Sequence, residues 1–130
     1  MKDSQQFVIW AESLMKDPEA TSSGAWPRAA ALLARSSLEA SITELWEAKE
    51  IPLQRASWRA QLLCLPGYVD PNVAKRVAFA HSALSAACHH HPYDLPPTAI
   101  EIQRWLGIIQ SLILAVVAVG PDSEVAETNG

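Results

Sequence analysis

The sequence predicts an all-α fold, an up-and-down bundle of four to five helices around one core. Three observations carry this. Apolar residues recur at three- and four-residue spacing through several segments, the period of a helix face. Strong helix-start signals stand before those segments, at Ser57, at Asp70-Pro71 and at Thr98-Ala99-Ile100-Glu101. No segment alternates with period two, and there is no Asn-Gly hairpin and no internal repeat.

The elements follow in order. A short helix is predicted over Ser4–Met15, with Phe7, Val8, Trp10, Ala11 and Leu14 as its apolar face. Asp17-Pro18 and the Thr21–Gly24 cluster mark a linker. Trp26-Pro27 opens a second helix, with proline in the first turn where its missing N–H costs little. That helix runs to about Ala48 on Leu38, Ile42 and Leu45, and Ile51-Pro52 ends it. A third starts at Ser57, carries Trp58, Leu62, Leu63 and Leu65, and stops at Pro66-Gly67. Asp70-Pro71 opens a fourth along a narrow seam of Val73, Val77, Ala80, Leu84, Ala87 and His91. The capping box at Thr98 opens the last, which runs to about Val119. Residues 1–24 thus read as an N-terminal helix and linker, 25–119 as the bundle, and 120–130 as an acidic tail predicted to be disordered.

Composition narrows the function classes. With 130 residues and 49% hydrophobic content, the chain suits one globular domain. A net charge of −4 argues against tight non-specific binding to a nucleic-acid backbone. A local basic groove is still compatible with it, built from Arg28, Arg35, Arg55, Arg59, Lys75 and Arg76. Cys64 and Cys88 lie in apolar helical surroundings and are expected to be buried free thiols. The first residues lack a secretory h-region, and the apolar stretch Trp105–Val119 is shorter than the roughly 18–20 residues of a membrane span. It is expected to be a buried helix, its breadth suiting a dimer surface, and the protein is expected to be cytoplasmic with no membrane partner.

The chain has no phosphate loop, no Cys-x-x-Cys pair, no His-Glu-x-x-His and no nucleophile elbow. Its chemistry-bearing segment is Ala86–Asp94, which holds Cys88-His89-His90-His91-Pro92-Tyr93-Asp94. Consecutive helical residues point roughly 100° apart, so three adjacent histidines do not converge on one ion. No metal site and no cofactor are expected. Pro92 disfavours helical dihedrals at His91, so the triplet marks a helix C-terminus, where imidazolium is favoured. Such histidines either cap carbonyls and pack on Tyr93, or contact a phosphate. Tyr93 and Asp94 either close the turn or join the site. Trp26, Trp46, Trp58 and Trp105 suit core packing better than base stacking.

The string Leu84-Ser-Ala-Ala-Cys-His-His-His-Pro-Tyr-Asp, continued to Leu106, resembles the signature of an actinobacterial branch of HEPN-domain proteins. The segments Trp26–Trp46 and Arg59-Ala60-Gln61-Leu62-Leu63-Cys64-Leu65 are similar to that family's earlier helices, so the likeness covers about Trp26 to Leu106. The resemblance implies a HEPN-like helical bundle that dimerises. Many such domains are metal-independent ribonucleases with an Arg-x4–6-His motif, followed by x-Tyr in toxin members. There the His acts as general acid or base and the Arg stabilises phosphate charge. In toxin–antitoxin pairs a partner nucleotidyltransferase adenylylates the Tyr.

By this resemblance His91 matches the motif histidine and Tyr93 the tyrosine, whereas Ala86 occupies the position of the arginine. Arg76 and His81 form an Arg-x4-His string, but residues five apart on one helix point roughly 140° away from each other. His81 therefore reads as a satisfied core or interface histidine, and Arg59 as the cation that approaches the His end from another helix. The expected function is a non-catalytic or degenerate HEPN-like domain that binds a nucleotide, RNA or a protein partner through His89, His90, Tyr93, Asp94 and Arg59. The alternatives are a HEPN endoribonuclease using His91 as its catalytic residue, and a structural adaptor.

Overall fold

The computed structural model of the chain describes residues 1–17, 25–89 and 95–119. Among them are five α-helices and no strand: α1 (Asp3–Lys16), α2 (Trp26–Lys49), α3 (Trp58–Cys64), α4 (Pro71–Cys88) and α5 (Ala99–Ala118), with one 3-10 turn at Leu65–Gly67. The protein is an all-α helical bundle. The linker 18–24, the segment 90–94 and the tail 120–130, with the expectations made for them, lie outside the described residues.

Helix α2 is the spine, because it packs on α1, α4 and α5 together. Its inward stripe changes character along its length. Ala30, Ala31 and Ala34 let neighbours approach closely, and Leu38, Ile42, Leu45 and Trp46 then fill the bundle's centre. Against them pack Val8 and Ala11 of α1, Val77, Ala80 and Leu84 of α4, and Ile102, Trp105, Ile109 and Leu112 of α5. Each fully buried large aliphatic side chain contributes about 1.5–3 kcal/mol.

Polar groups inside this core are paired. Ser4 Oγ donates to Glu44 Oε2 at 2.6 Å, Ser37 Oγ to Ser4 O at 2.7 Å, and Ser41 Oγ to Ser37 O at 2.8 Å, which ties α1 onto α2. The buried Trp46 donates its indole N–H to Gln61 Oε1 at 2.9 Å, and Gln61 Nε2 donates to Ala56 O at 2.8 Å. Gln61, 2% exposed, thereby fixes the short helix α3 to the spine.

The ends follow the predicted signals. Ser57 Oγ accepts from Ala60 N, and Asp70 Oδ1 accepts from Asn72 N and Val73 N. Thr98 and Glu101 form a reciprocal capping box. One end differs from expectation. Helix α2 closes ahead of Ile51-Pro52, by a Schellman arrangement in which Ile51 N donates to Trp46 O and Glu50 takes φ 57°. A left-handed non-glycine residue costs about 1–2 kcal/mol. The two bonds to the last carbonyls offset that cost.

Four further expectations change with the packing. Trp10 turns outward from α1, at 49% exposure, because α2 covers only the Ser4–Val8–Ala11 stripe. Leu63 is 73% exposed, since α3 spends its inward direction on Gln61 and hands the core to Leu65. Cys64 is an exposed free thiol and not a buried one, while Cys88 is half-buried. Helix α5 is buried along one stripe only, leaving Leu114 and Val117 at 70% and 59% exposure. The apolar stretch Trp105–Val119 is short of a span, but α5 as a whole runs 20 residues with a mean hydropathy of 1.5, which is enough by length and composition to cross a membrane. Its inward stripe nevertheless belongs to the bundle core.

Candidate functional site

Helix α4 begins at its Asp70 cap and ends at Cys88, with His89 as the C-cap residue in extended conformation. The first histidine of the triplet therefore stands at a helix C-terminus, as the sequence predicts. His90, His91, Tyr93 and Asp94 lie outside the described residues. Ala86 is exposed in the last turn of α4, and its carbonyl accepts from His89 N at 3.2 Å.

The cations that reach this end come from α2. Arg28 Nη1 donates to Ala87 O and to His89 O, both at 3.3 Å. These are carbonyls of the terminal turn, which lack intrahelical partners, and the negative end of the helix dipole favours a cation there. Arg35 lies seven residues, two turns, further along the same face of α2. Its Nε donates to Glu39 Oε2 at 3.3 Å, and its positive charge acts on the nearby Cys88 thiol. Burial pushes the Cys88 thiol above its ordinary value, and the Arg35 guanidinium offsets this only in part. Cys88 is thus a protonated packing group at neutral pH and not a thiolate nucleophile.

Deeper along the same flank, His81 Nε2 lies 3.0 Å from Glu39 Oε2. The same Glu39 oxygen accepts from Arg35, so one carboxyl group joins both side chains. The imidazole is packed at 5.9 Å from the Trp58 ring. His81 side-chain exposure is 12% and that of Glu39 is 21%. The seam Glu39–His81, Arg35–Cys88, Arg28–Ala87/His89 runs antiparallel between α2 and α4, and it satisfies His81 as expected. Arg76 and His81 sit on one continuous helix and Arg76 faces solvent, so the Arg-x4-His string forms no pair.

Adjoining this seam through His81, on the side of α4 that faces α3, lies a groove of about 470 Å³. Arg59, Leu62 and Leu63 line one side, and Ala78, His81, Ser82 and Ser85 the other. Arg59 therefore approaches the middle of α4. At the helix end itself, Arg28 reaches the carbonyls of Ala87 and His89. The six basic residues named above also separate, with Arg28 and Arg35 in the α2–α4 seam and Arg55, Arg59, Lys75 and Arg76 exposed around α3 and α4. Among the described residues no three His, Cys, Asp or Glu side chains converge on a metal position.

Sequence reasoning missed Arg28, Arg35 and Glu39 as members of this site. Their signal was the spacing 28–35–39, which puts all three on one face of α2, but only the packing partner tells which helix that face meets. No family model, curated protein or solved structure matches this chain.

Proposed function

We propose that the protein is a non-catalytic HEPN-like domain that binds a phosphate-bearing ligand, a nucleotide or RNA, at the His-rich end of α4. The observation that carries this reading is the Arg28 guanidinium, held at 3.3 Å from the carbonyls of Ala87 and His89. It brings a fixed positive charge to a helix end from which His89, His90 and His91 follow in sequence. Arginine with histidine is a donor set for phosphate oxygens. The non-catalytic part of the reading rests on α4 itself, where Ala86 offers a methyl group in place of the motif arginine.

Arg28 also favours a second reading, a metal-independent ribonuclease in which the guanidinium comes from α2 and His91 acts as general acid or base. Tyr93 would then be open to a nucleotidyltransferase-type partner. Cleavage separates the two. Under the binding reading, AMP, ATP and a short single-stranded RNA shift the His89 amide resonance of the full chain, and His91→Ala weakens binding while RNA remains intact in EDTA. RNA cleavage that His91→Ala abolishes establishes the enzyme instead. Silence of the His89 signal across the panel leaves a structural adaptor.

The same proposal includes a cytoplasmic homodimer through the outer face of α5. Ile100, Leu114 and Val117 stand exposed there, no charged residue occurs from Trp105 to Val119, and a Cβ at Gly107 would meet open space. A helix-interior glycine with no close neighbour costs about 0.8–1 kcal/mol against alanine, and close approach of a second helix gives it a use. Light scattering should give twice the 14.2 kDa chain mass, and Leu114→Glu with Val117→Glu should return it to 14.2 kDa. A wild-type monomer at micromolar concentration removes the dimer.

A further inference from the structure

We propose that the cleft between α1 and α5 binds a small zwitterion, a free α-amino acid with an apolar side chain, through Glu12 and Lys16. This inference is independent of the ligand at the His end.

The cleft follows from how three helices share one core. Helices α1 and α5 both pack on α2 and touch each other little, so a wedge opens between them. Its volume is about 320 Å³, with Glu12, Met15 and Lys16 of α1 along one wall and Leu106, Gly107 and Gln110 of α5 along the other. Leu106 is 4% exposed, so the floor of the cleft is the apolar edge of the core. Gly107 presents no side chain, and a Cβ there would meet nothing within 4 Å.

The α1 wall holds two charges apart. Glu12 and Lys16 stand four residues from each other with the acid first, the spacing at which such side chains pair along a helix. They do not pair. The ion pairs among the described residues join Arg35 and His81 to Glu39, whereas Glu12 Oε1 accepts from Gln110 Nε2 at 3.1 Å. That bond draws the carboxylate across the cleft. It leaves Glu12 Oε2 and the Lys16 ammonium without a hydrogen-bond or ion-pair partner.

One anion and one cation above an apolar floor match a molecule that carries an ammonium, a carboxylate and an apolar group on one carbon. Glu12 Oε2 accepts from the ligand's ammonium and Lys16 Nζ donates to its carboxylate, while the ligand's side chain rests on Met15 and Leu106. Gln103 also lines the cleft and offers its amide to either head group. Other occupants fit less well. A phosphate dianion meets the Glu12 carboxylate as well as the lysine, and that like charge opposes it. A partner helix needs a groove several turns long, whereas this volume is at the small end of single-ligand sites.

The test is an NMR titration of the isotope-labelled full chain with L-leucine. Saturable shifts are expected at the Gly107 backbone amide and at the Gln103 and Gln110 side-chain amides. Isocaproate, which lacks the ammonium, and isoamylamine, which lacks the carboxylate, should each bind about tenfold more weakly or worse. Glu12→Gln keeps an acceptor for Gln110 but removes the charge, and it should weaken leucine about tenfold while leaving isocaproate unchanged. Lys16→Met should weaken leucine equally and leave isoamylamine unchanged. Neither side chain is buried, so both variants should keep the wild-type circular dichroism and thermal midpoint. If either unfolds, the two analogues on the wild-type chain carry the test alone. No saturable shift with leucine, methionine or phenylalanine, or analogue binding as tight as that of leucine, would overturn the proposal. Displacement of leucine by inorganic phosphate at equal concentration would overturn it in favour of an anion site.

Discussion

Along the flank of α4 that faces α2, polar groups are held in pairs: His81 with Glu39, which also accepts from Arg35, and the terminal carbonyls with Arg28. On the side that faces α3, an open groove is lined by the exposed Leu63, and Phe79 stands in solvent elsewhere on α4. One helix thus separates a satisfied surface from an unsatisfied one. Between its middle and the His end, where Arg28 carries the proposed phosphate site, the first flank is a structural join in which Glu39 accepts from Arg35 and pairs with His81. The unsatisfied flank has apolar area to bury and nothing described within the chain to bury it against. Motif-bearing residues drew attention to the first flank in the sequence, whereas the exposed apolar area lies on the second.

That comparison is open to mutation, and the expected effects fall in a clear order. Leu84→Ala, in the fully buried stripe between the two flanks, should destabilise the protein by about 2–5 kcal/mol in urea unfolding. A loss under about 1 kcal/mol would mean that α4 is not seated on the core. Glu39→Ala removes the shared acceptor of Arg35 and His81 and should cost about 1–3 kcal/mol, whereas Glu39→Gln, which keeps one acceptor oxygen, should cost less. Equal losses would show that the carboxylate charge, and not the hydrogen bonding, holds the seam.

A smaller effect is expected at the turn that positions α3. Glu50→Gly relieves the left-handed residue at φ 57° and should raise stability by about 1 kcal/mol. No gain in thermal midpoint would contradict the Schellman geometry. The smallest effect belongs to the exposed apolar side chains. Leu63→Ser and Phe79→Ser should each change stability by no more than about 0.5 kcal/mol, because both side chains are already in water. A large loss would place them in the core and end the contrast between the flanks.

The two thiols give a chemical version of the comparison. Cys64 is exposed and Cys88 is half-buried with its thiol pushed above the ordinary value by burial. A disulfide reagent at neutral pH should modify Cys64 first, with Cys88 following on the timescale of local opening. The sign of the linkage is that the folded state holds the Cys88 proton more tightly than the unfolded chain. This contribution to stability is therefore fully present below the ordinary thiol value and is lost as pH rises from there through the raised folded value. Cys88→Ala should flatten that alkaline decline. Comparable labelling rates for the two cysteines would refute the burial of Cys88.

Much of the fold was legible because its signals are local. Ser57, Asp70 with Pro71, and Thr98 with Glu101 each cap a helix within four residues, so the backbone's unpaired N–H groups find their partners wherever the rest of the chain lies. The three- and four-residue apolar spacing likewise marks an inward face before any neighbour is known. Satisfaction of His81 was also readable, as its mid-helix position beside Val77 and Leu84 leaves little room for a free imidazole.

What the sequence did not disclose depends on which surfaces meet. Trp10 and Leu63 look like core residues by type, and only the limited width of α2 and the demand of Gln61 for Trp46 turn them outward. Arg28 and Arg35 sit more than 50 residues from Ala87 and Cys88 along the chain, a pairing that no local spacing encodes. By itself, then, the sequence determined an all-helical chain, its helix starts and a His-rich helix end. The tertiary structure alone decided which cations serve that end and which apolar side chains remain in water, because both depend on how a finite set of helices shares one core.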